Sequence, residues 1–413
     1  MSVSRVYATV LLVTAVLVAG CGRATEPAPD GDPVGMVTEL AAGDAAAVGE
    51  SVNGFGFDLL GELTDGQQNA VSSPLSASVL LAMVLAGAGG DTAEAMAAAL
   101  HLDDPRDGRV GSLLDTLTDT DDVTLSTANA LWADDQVPFE PDYLEFVRDT
   151  FGASVENADL GEPATVDTID AWVDERTEGL IPEIAADLGL PNPDAALILL
   201  NAVYFLGEWT TRFDPADTAD QPFTLADGSQ AQVPLMHLRE QQLGYGERDG
   251  YRMLRLPYGE DGRYGMEILL PDPENDLRGL LAGLDAAEWR AAVDSLTEQT
   301  VDELALPRFE LEWAGMLNEP LAALGMAPAF DAAAADFAPM SPVSLVLTAV
   351  VHKTFLRVDE AGTEAAAVTG GGMEITSAQP PLTFRVDRPF AFTISDTETG
   401  TILFLSAVAD PRG

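Results

Sequence analysis

The chain has one lysine, Lys353, and one cysteine, Cys21. Its 20 basic residues face 68 acidic ones, a formal net charge of −48 over 413 residues. A surface of that sign repels phosphate backbones and anionic lipid, which excludes nucleic acid and anionic membranes as partners. A single thiol excludes an intramolecular disulfide framework. The three histidines, His101, His237 and His352, stand in no HExxH, CxxC or GxSxG setting. Each reads as an ordinary structural histidine, His352 as a core residue with a satisfied hydrogen bond. No phosphate-binding glycine loop is present, because "GAGG" at 87–90 closes a helical pattern rather than opening one. The acidic stretches "LDDPRDG" (102–108) and "PDPENDL" (271–277) lack calcium-loop spacing and read as surface turns. Nothing here calls for a cofactor or a metal, and no motif points to an enzyme that turns over a substrate.

What the chain does have is apolar content, 47%, enough for a large globular core. The first apolar run is a targeting signal by its pattern. Arg5 precedes "VYATVLLVTAVLVAG", which ends in Val18-Ala19-Gly20-Cys21 and resembles a bacterial lipobox. Residues 1–20 are therefore expected to be a lipoprotein signal peptide, with Cys21 the lipid acceptor. The protein is then exported and held at the cell envelope or cell surface, outside the cytoplasm. "GRATEPAPDGDP" follows, and 21–47 reads as a flexible tether. The remainder, 48–413, shows no repeat and no second linker, and reads as one domain.

Within that domain helices dominate the first half and strands the second, the pattern of an α+β fold. Phe55, Leu59, Leu60 and Leu63 recur at helical spacing over 48–64. Ser73-Pro74 opens a helix that runs to about Gly87, and Asp91 or Thr92 is expected to cap the next. "TVDTIDAWVDERTEGLIPEI" places Ile169, Trp172 and Val173 on one helical face. "ALILLNAVYFLGEW" (196–209) is an almost unbroken run of β-formers, as in a strand buried on both faces. "PFAFTISD" and "GTILFLSAVADP" read as a hairpin turning at "TETG".

One stretch fits no such element. "DEAGTEAAAVTGGGMEITSAQPP", Asp359 to Pro381, lies between two good strands and is small, glycine-rich and poorly anchored. Its residues alternate: Thr363, Ala365, Ala367 and Thr369 form one uncharged set, while Glu364 falls on the other with Ala366 and Val368. Such a segment is able to become a strand with its small face inward. Gly362 gives it a hinge, whereas Gly370 to Gly372 weaken it further along.

At this point an ordered series of segments resembles the serpin family. It consists of "SPLSASVLLAMVLAGAGGDTAEAM", "IDAWVDERTEGLIPEI", "LLNAVYFLGEWTTRFDPADT", "LALPRFELE", "VVHKTFLRVDEAGTEAAA" and "RPFAFTISDTETGTILFLSAVADP". The resemblance runs in family order from about Val48 to Pro411. It implies three β-sheets, about nine helices and an exposed reactive-centre loop. It also implies a monomeric inhibitor that traps a serine proteinase covalently as its cleaved loop enters the main sheet. A non-inhibitory member, whose loop is merely cut, is the alternative.

By the same resemblance, Glu360, Gly362, Thr363, Glu364, Ala365, Ala366 and Ala367 form the hinge. Ser73, Ser76, Asn201 and His352 match the family's polar cluster under the sheet-opening region. Trp209 and Arg308 match the loop-entry region, where an Arg308–Glu360 pair would hold the loop's root. Leu206 departs from the family's usual lysine. The family register puts the cleaved bond near Thr376–Ser377. Counting back from Arg388 shifts it toward Ala378, and bonds after Met373 and Ile375 compete. No arginine or lysine lies between Glu360 and Pro381, which favours elastase-like or subtilisin-like proteinases over trypsin-like ones. The region corresponding to the family's heparin-binding helix is acidic here, so no heparin binding is expected.

Overall fold

The computed structural model describes residues 8–24, 42–104, 106–118, 123–360 and 381–413. The strand and helix order begins with β1 (Ala8–Ala24), α1 (Ala42–Leu63), β2 (Ala70–Ser72), α2 (Pro74–Leu85), α3 (Gly90–Ala99) and α4 (Arg109–Thr118). It continues with β3 (Thr124–Asp134), α5 (Pro141–Phe151), β4 (Ser154–Ala158), α6 (Pro163–Arg176) and β5 (Ala195–Gly207). A strand-rich stretch follows: β6 (Ala219–Thr224), β7 (Gln230–Arg248), β8 (Tyr251–Tyr258) and β9 (Tyr264–Pro271). Then come α7 (Leu277–Gly283), α8 (Ala286–Asp294), β10 (Thr297–Pro307), β11 (Phe309–Met316), α9 (Asn318–Leu321) and α10 (Ala327–Phe330). The chain closes with β12 (Val343–Val358), β13 (Thr383–Arg385), β14 (Phe390–Asp396) and β15 (Ile402–Val408).

These strands form two sheets. The six-stranded one has the order β11-β12-β1-β5-β3-β4. The nine-stranded one runs β13-β10-β7-β8-β9-β14-β15-β2, with β6 alongside β7. Strand β7 joins two halves of the larger sheet. Its first part pairs with β6 and β10, and its last residues, Gly244 to Arg248, pair with β8. The three-sheet expectation counts those halves separately. Only Arg308 separates β10 from β11, so it joins the two sheets.

Side-chain parity explains how the six-stranded sheet is covered. Along β5, Leu197, Leu199, Val203 and Phe205 belong to one buried cluster with α2, while Ile198, Leu200 and Ala202 belong to another with Ile169 and Val173 of α6. A strand sandwiched between two helical layers is apolar at every position, which is the pattern read from its sequence. The β14–β15 hairpin forms as its sequence indicates. Gly56 is required where α1 crosses α2, because a methyl group there would overlap the Pro74 ring.

Local boundaries differ from the sequence reading in three places. Helix α1 starts at Ala42 rather than near 48, extending the body into the segment read as tether. Gly89 holds the N-cap position of helix α3, which has no side-chain cap, so neither Asp91 nor Thr92 caps it. The Thr92 hydroxyl is engaged elsewhere, accepting from the Asp336 amide at 3.0 Å. The largest difference is at the N-terminus, where Ala8–Ala24 forms a strand inside the six-stranded sheet. An apolar run rich in valine, bounded by polar sequence, suits a buried strand as well as an export signal. The lipid-acceptor candidate Cys21 lies near the end of that strand.

Candidate functional site: a latch beneath the sheet and the roots of the loop

Strand β1 fills a slot between β5 and β12. It pairs antiparallel with β5 from Ala8 to Ala19 and antiparallel with β12 from Val10 to Ala24. Strands β5 and β12 are therefore parallel to one another across it. Val16 is fully buried, opposite Leu199 on one side and Val350 on the other.

The first turn of α2 spans that slot from beneath. Ser73 caps the helix, its hydroxyl accepting from the Ser76 amide at 3.2 Å. The Ser73 amide donates to His352 Nε2 on β12, also at 3.2 Å. The Ser76 hydroxyl donates to Asn201 Oδ1 on β5. One helix start thus holds both walls of the slot. All four predicted members of this cluster are fully buried and come together in one network. Asn201 and His352 share register with Thr14 of β1, which sits between them in the sheet.

His352 accepts at Nε2, so its proton is on Nδ1 and the ring is neutral. Complete burial drives its pKa down to about 3. The Trp313 ring packs edge-on against it at 5.8 Å.

A fifth member escaped the sequence reading. Asn129 on β3 accepts from Asn201 Nδ2 at 2.6 Å and donates to the Phe151 carbonyl at 2.7 Å. Its signal was a carboxamide inside the strand "STANALWA", at a position that parity puts on the α2 side. Asn201→Ala is expected to lower the unfolding free energy by about 2–4 kcal/mol, since it strips a buried partner from both Ser76 and Asn129. A denaturant titration checks this; a loss below about 1 kcal/mol would mean the two groups find other partners.

The loop itself, 361–380, is outside the described residues. So are the hinge positions Gly362, Thr363, Glu364, Ala365, Ala366 and Ala367, and the bond candidates Met373, Ile375, Thr376, Ser377 and Ala378. Its two roots are described. At the near root, Trp209 Nε1 donates to the Asp359 carbonyl at 2.9 Å, and the indole stacks on Tyr258 at 4.2 Å. Glu360 accepts from the Thr218 hydroxyl at 2.7 Å and faces the Arg308 guanidinium at 3.4 Å. Arg308 and Glu360 therefore meet, and Trp209 holds the carbonyl of the residue before Glu360. Thr218 and Tyr258 were not foreseen. At the far root, the Leu382 amide donates to Asp302 Oδ2 at 2.6 Å, and β13 runs parallel to β10.

The two acidic stretches have structural uses. Asp107 holds Arg109 through both its oxygens, and Asp276 caps α7.

Comparison with known proteins agrees with this architecture. The family model described as serpin, serine protease inhibitor, matches residues 50–411. An uncharacterized serpin-like protein of Thermococcus kodakarensis is 35% identical, covering 98% of this chain and 99% of that protein. The leukocyte elastase inhibitor of Homo sapiens is 34% identical, covering 86% of this chain and 97% of the inhibitor. Among solved structures, a thermophilic serpin, Tengpin, in its native state superposes with a TM-score of 0.76 at 27% identity, over 96% of this chain and all of that one. The chain belongs to the serpin family and has the α+β serpin fold. The statement that it is not an enzyme, read from missing motifs, is corrected here. The family description replaces that bare negative with a definite relation to proteinases, that of an inhibitor.

Proposed function

We propose that the chain inhibits a serine proteinase as a suicide substrate. Residues 361–380 serve as bait, and after cleavage the segment that stays attached to β12 enters the six-stranded sheet between β5 and β12. One observation carries this reading: β1 marks a strand site there with the required polarity. A segment that leaves the end of β12 and folds back beside it runs antiparallel to β12, in the same direction as β1. The uncharged alternating set Thr363, Ala365, Ala367 and Thr369 fits such a buried position. The α2 latch gates entry, because its bonds to Asn201 and His352 depend on the spacing of the two walls.

An elastase-like or subtilisin-like target is supported by the bait's lack of arginine and lysine and by the similarity to leukocyte elastase inhibitors. Reaction near Thr376–Ser377 is proposed, with Met373, Ile375 and Ala378 as neighbouring candidates. The mature protein is proposed to be a monomer held outside the cytoplasm by lipid on Cys21. It is proposed to have no nucleic-acid partner and no heparin activation, since the one arginine of α4, Arg109, is already held by Asp107. The second reading, a non-inhibitory member whose loop is only cut, is favoured by one observation: the slot is occupied by β1.

The test mixes a chain starting at Gly22 with an elastase-like and a subtilisin-like proteinase. Denaturing gels and mass spectrometry then follow the products. A covalent band of summed mass, with the cut between Met373 and Ala378, is expected. Clean cleavage with no such band, across a wider proteinase panel, would favour the second reading.

A further inference from the structure

Strand β13 is short for its task. It is a three-residue edge strand, yet it fastens the far root of the bait to the nine-stranded sheet. Its main chain is held by Asp302 on one side and by the Val386 amide, which donates to the Ala305 carbonyl at 2.9 Å. A side-chain relay crosses three further strands to reach it. Arg385 of β13 donates to Gln221 Oε1 of β6 at 2.6 Å. The Gln221 amide nitrogen lies 2.8 Å from His237 Nε2 of β7, and His237 Nδ1 lies 3.0 Å from Glu303 Oε1 of β10.

The donors and acceptors of this relay allow one arrangement. Arginine only donates, which fixes Gln221 Oε1 toward Arg385 and the Gln221 amide hydrogens toward His237. His237 Nε2 must then accept, and Nδ1–H donates to Glu303. The relay is complete only while His237 is neutral. An imidazolium carries hydrogens on both nitrogens, so Nε2–H would meet the Gln221 amide hydrogens. Turning the amide over restores that contact, but it then presents amide hydrogens to the Arg385 guanidinium. Either way one link is lost.

We propose that His237 is a pH-sensitive fastener of β13: when it gains a proton, one link of the chain of bonds that ties β13 through β6 to β7 is lost and the far root of the bait loosens. The charged groups around it come from the neighbouring strands. Glu303 and Asp302 lie on β10 and Arg385 on β13, with Asp387 3.4 Å from Arg385. Arg239 of β7 stands opposite Glu303 and pairs with Asp217 at 3.5 Å. His237 itself is buried, while its Glu303 partner is partly exposed. The effect on inhibition rests on the bait reading above, but the loosening of β13 does not.

Hydrogen exchange measured by mass spectrometry on the complete chain tests this without any proteinase. Rates at pH 7.5, 6.5 and 5.5 are corrected for intrinsic exchange, spanning the range in which histidine changes charge. Protection of the peptide covering Phe384 to Val386 is expected to fall about tenfold toward pH 5.5, while the β14–β15 hairpin stays unchanged. In Gln221→Glu, whose carboxylate accepts from both His237 and Arg385, the fall should disappear. In His237→Gln, protection should no longer vary with pH. Equal protection of the wild type at all three pH values, or an undiminished fall in either variant, overturns the proposal.

Discussion

A complete chain that keeps residues 8–24 is expected to be cut by its proteinase without accumulating covalent complex, whereas a chain starting at Gly22 accumulates it. The reason is topological. Strand β1 uses the backbone donors and acceptors on the facing edges of β5 and β12 along nearly its whole length. A cleaved bait needs the same edges with the same polarity, and one slot takes one strand. If only three of those hydrogen bonds count at about 1 kcal/mol each, the open slot is already disfavoured by about two orders of magnitude. Cleavage of a leader before Cys21 would remove all but the last four residues of the strand. The complete chain should also melt at the higher temperature, since it keeps a buried central strand. Band densities after a fixed reaction time, with both chains at equal concentration, decide the matter. Equal yields would show that β1 leaves freely. No complex from either chain would instead count against the bait reading.

Much of this was legible in the sequence, for identifiable reasons. β5 could be read because burial on both faces leaves an unbroken apolar run, and the β14–β15 hairpin because its turn chemistry is local. Ser73, Ser76, Asn201 and His352 were found through resemblance, and parity explains why they meet. Residues 197, 199, 201, 203 and 205 share one face of β5, so Asn201 looks toward α2 with the leucines around it. Asn129 had the same parity but no motif to single it out. Thr218 and Tyr258 were missed because they act through tertiary contacts at the near root, which no local pattern records. Glu267 was also unforeseen. It is fully buried on β9, and burial pushes its carboxyl above the usual range, while Arg255, Thr393 and Ser395 act the other way. In the sequence it is one acidic residue in "YGMEILLP". The strand formed by 8–24 shows a limit of a different kind. Apolar content and β-branching say that a segment seeks burial, but not whether a membrane, a peptidase or a vacant sheet edge receives it.

His352 gives the second large expected effect, a loss of stability in mild acid that one substitution should remove. Its ring is neutral in the fold and accepts from the Ser73 amide, and burial holds its pKa at about 3. An unfolded histidine titrates near 6.5, so between those values the unfolded chain binds the extra proton. Stability then rises with pH. The contribution is fully present above about pH 6.5 and is lost as the pH falls through about 3. The whole span corresponds to about 5 kcal/mol, or about 1.4 kcal/mol for each pH unit inside the window. His352→Gln keeps an acceptor for the Ser73 amide but cannot titrate. Urea midpoints of the complete chain between pH 6 and 4 should therefore fall more steeply for the wild type than for the variant, by about one proton's worth of slope. Parallel slopes would mean that His352 reaches water before the protein unfolds, and that the latch beneath the sheet opens without global unfolding. His352 stays neutral in the fold at pH 5.5, so a loosening of β13 at that pH does not come from the latch under β12.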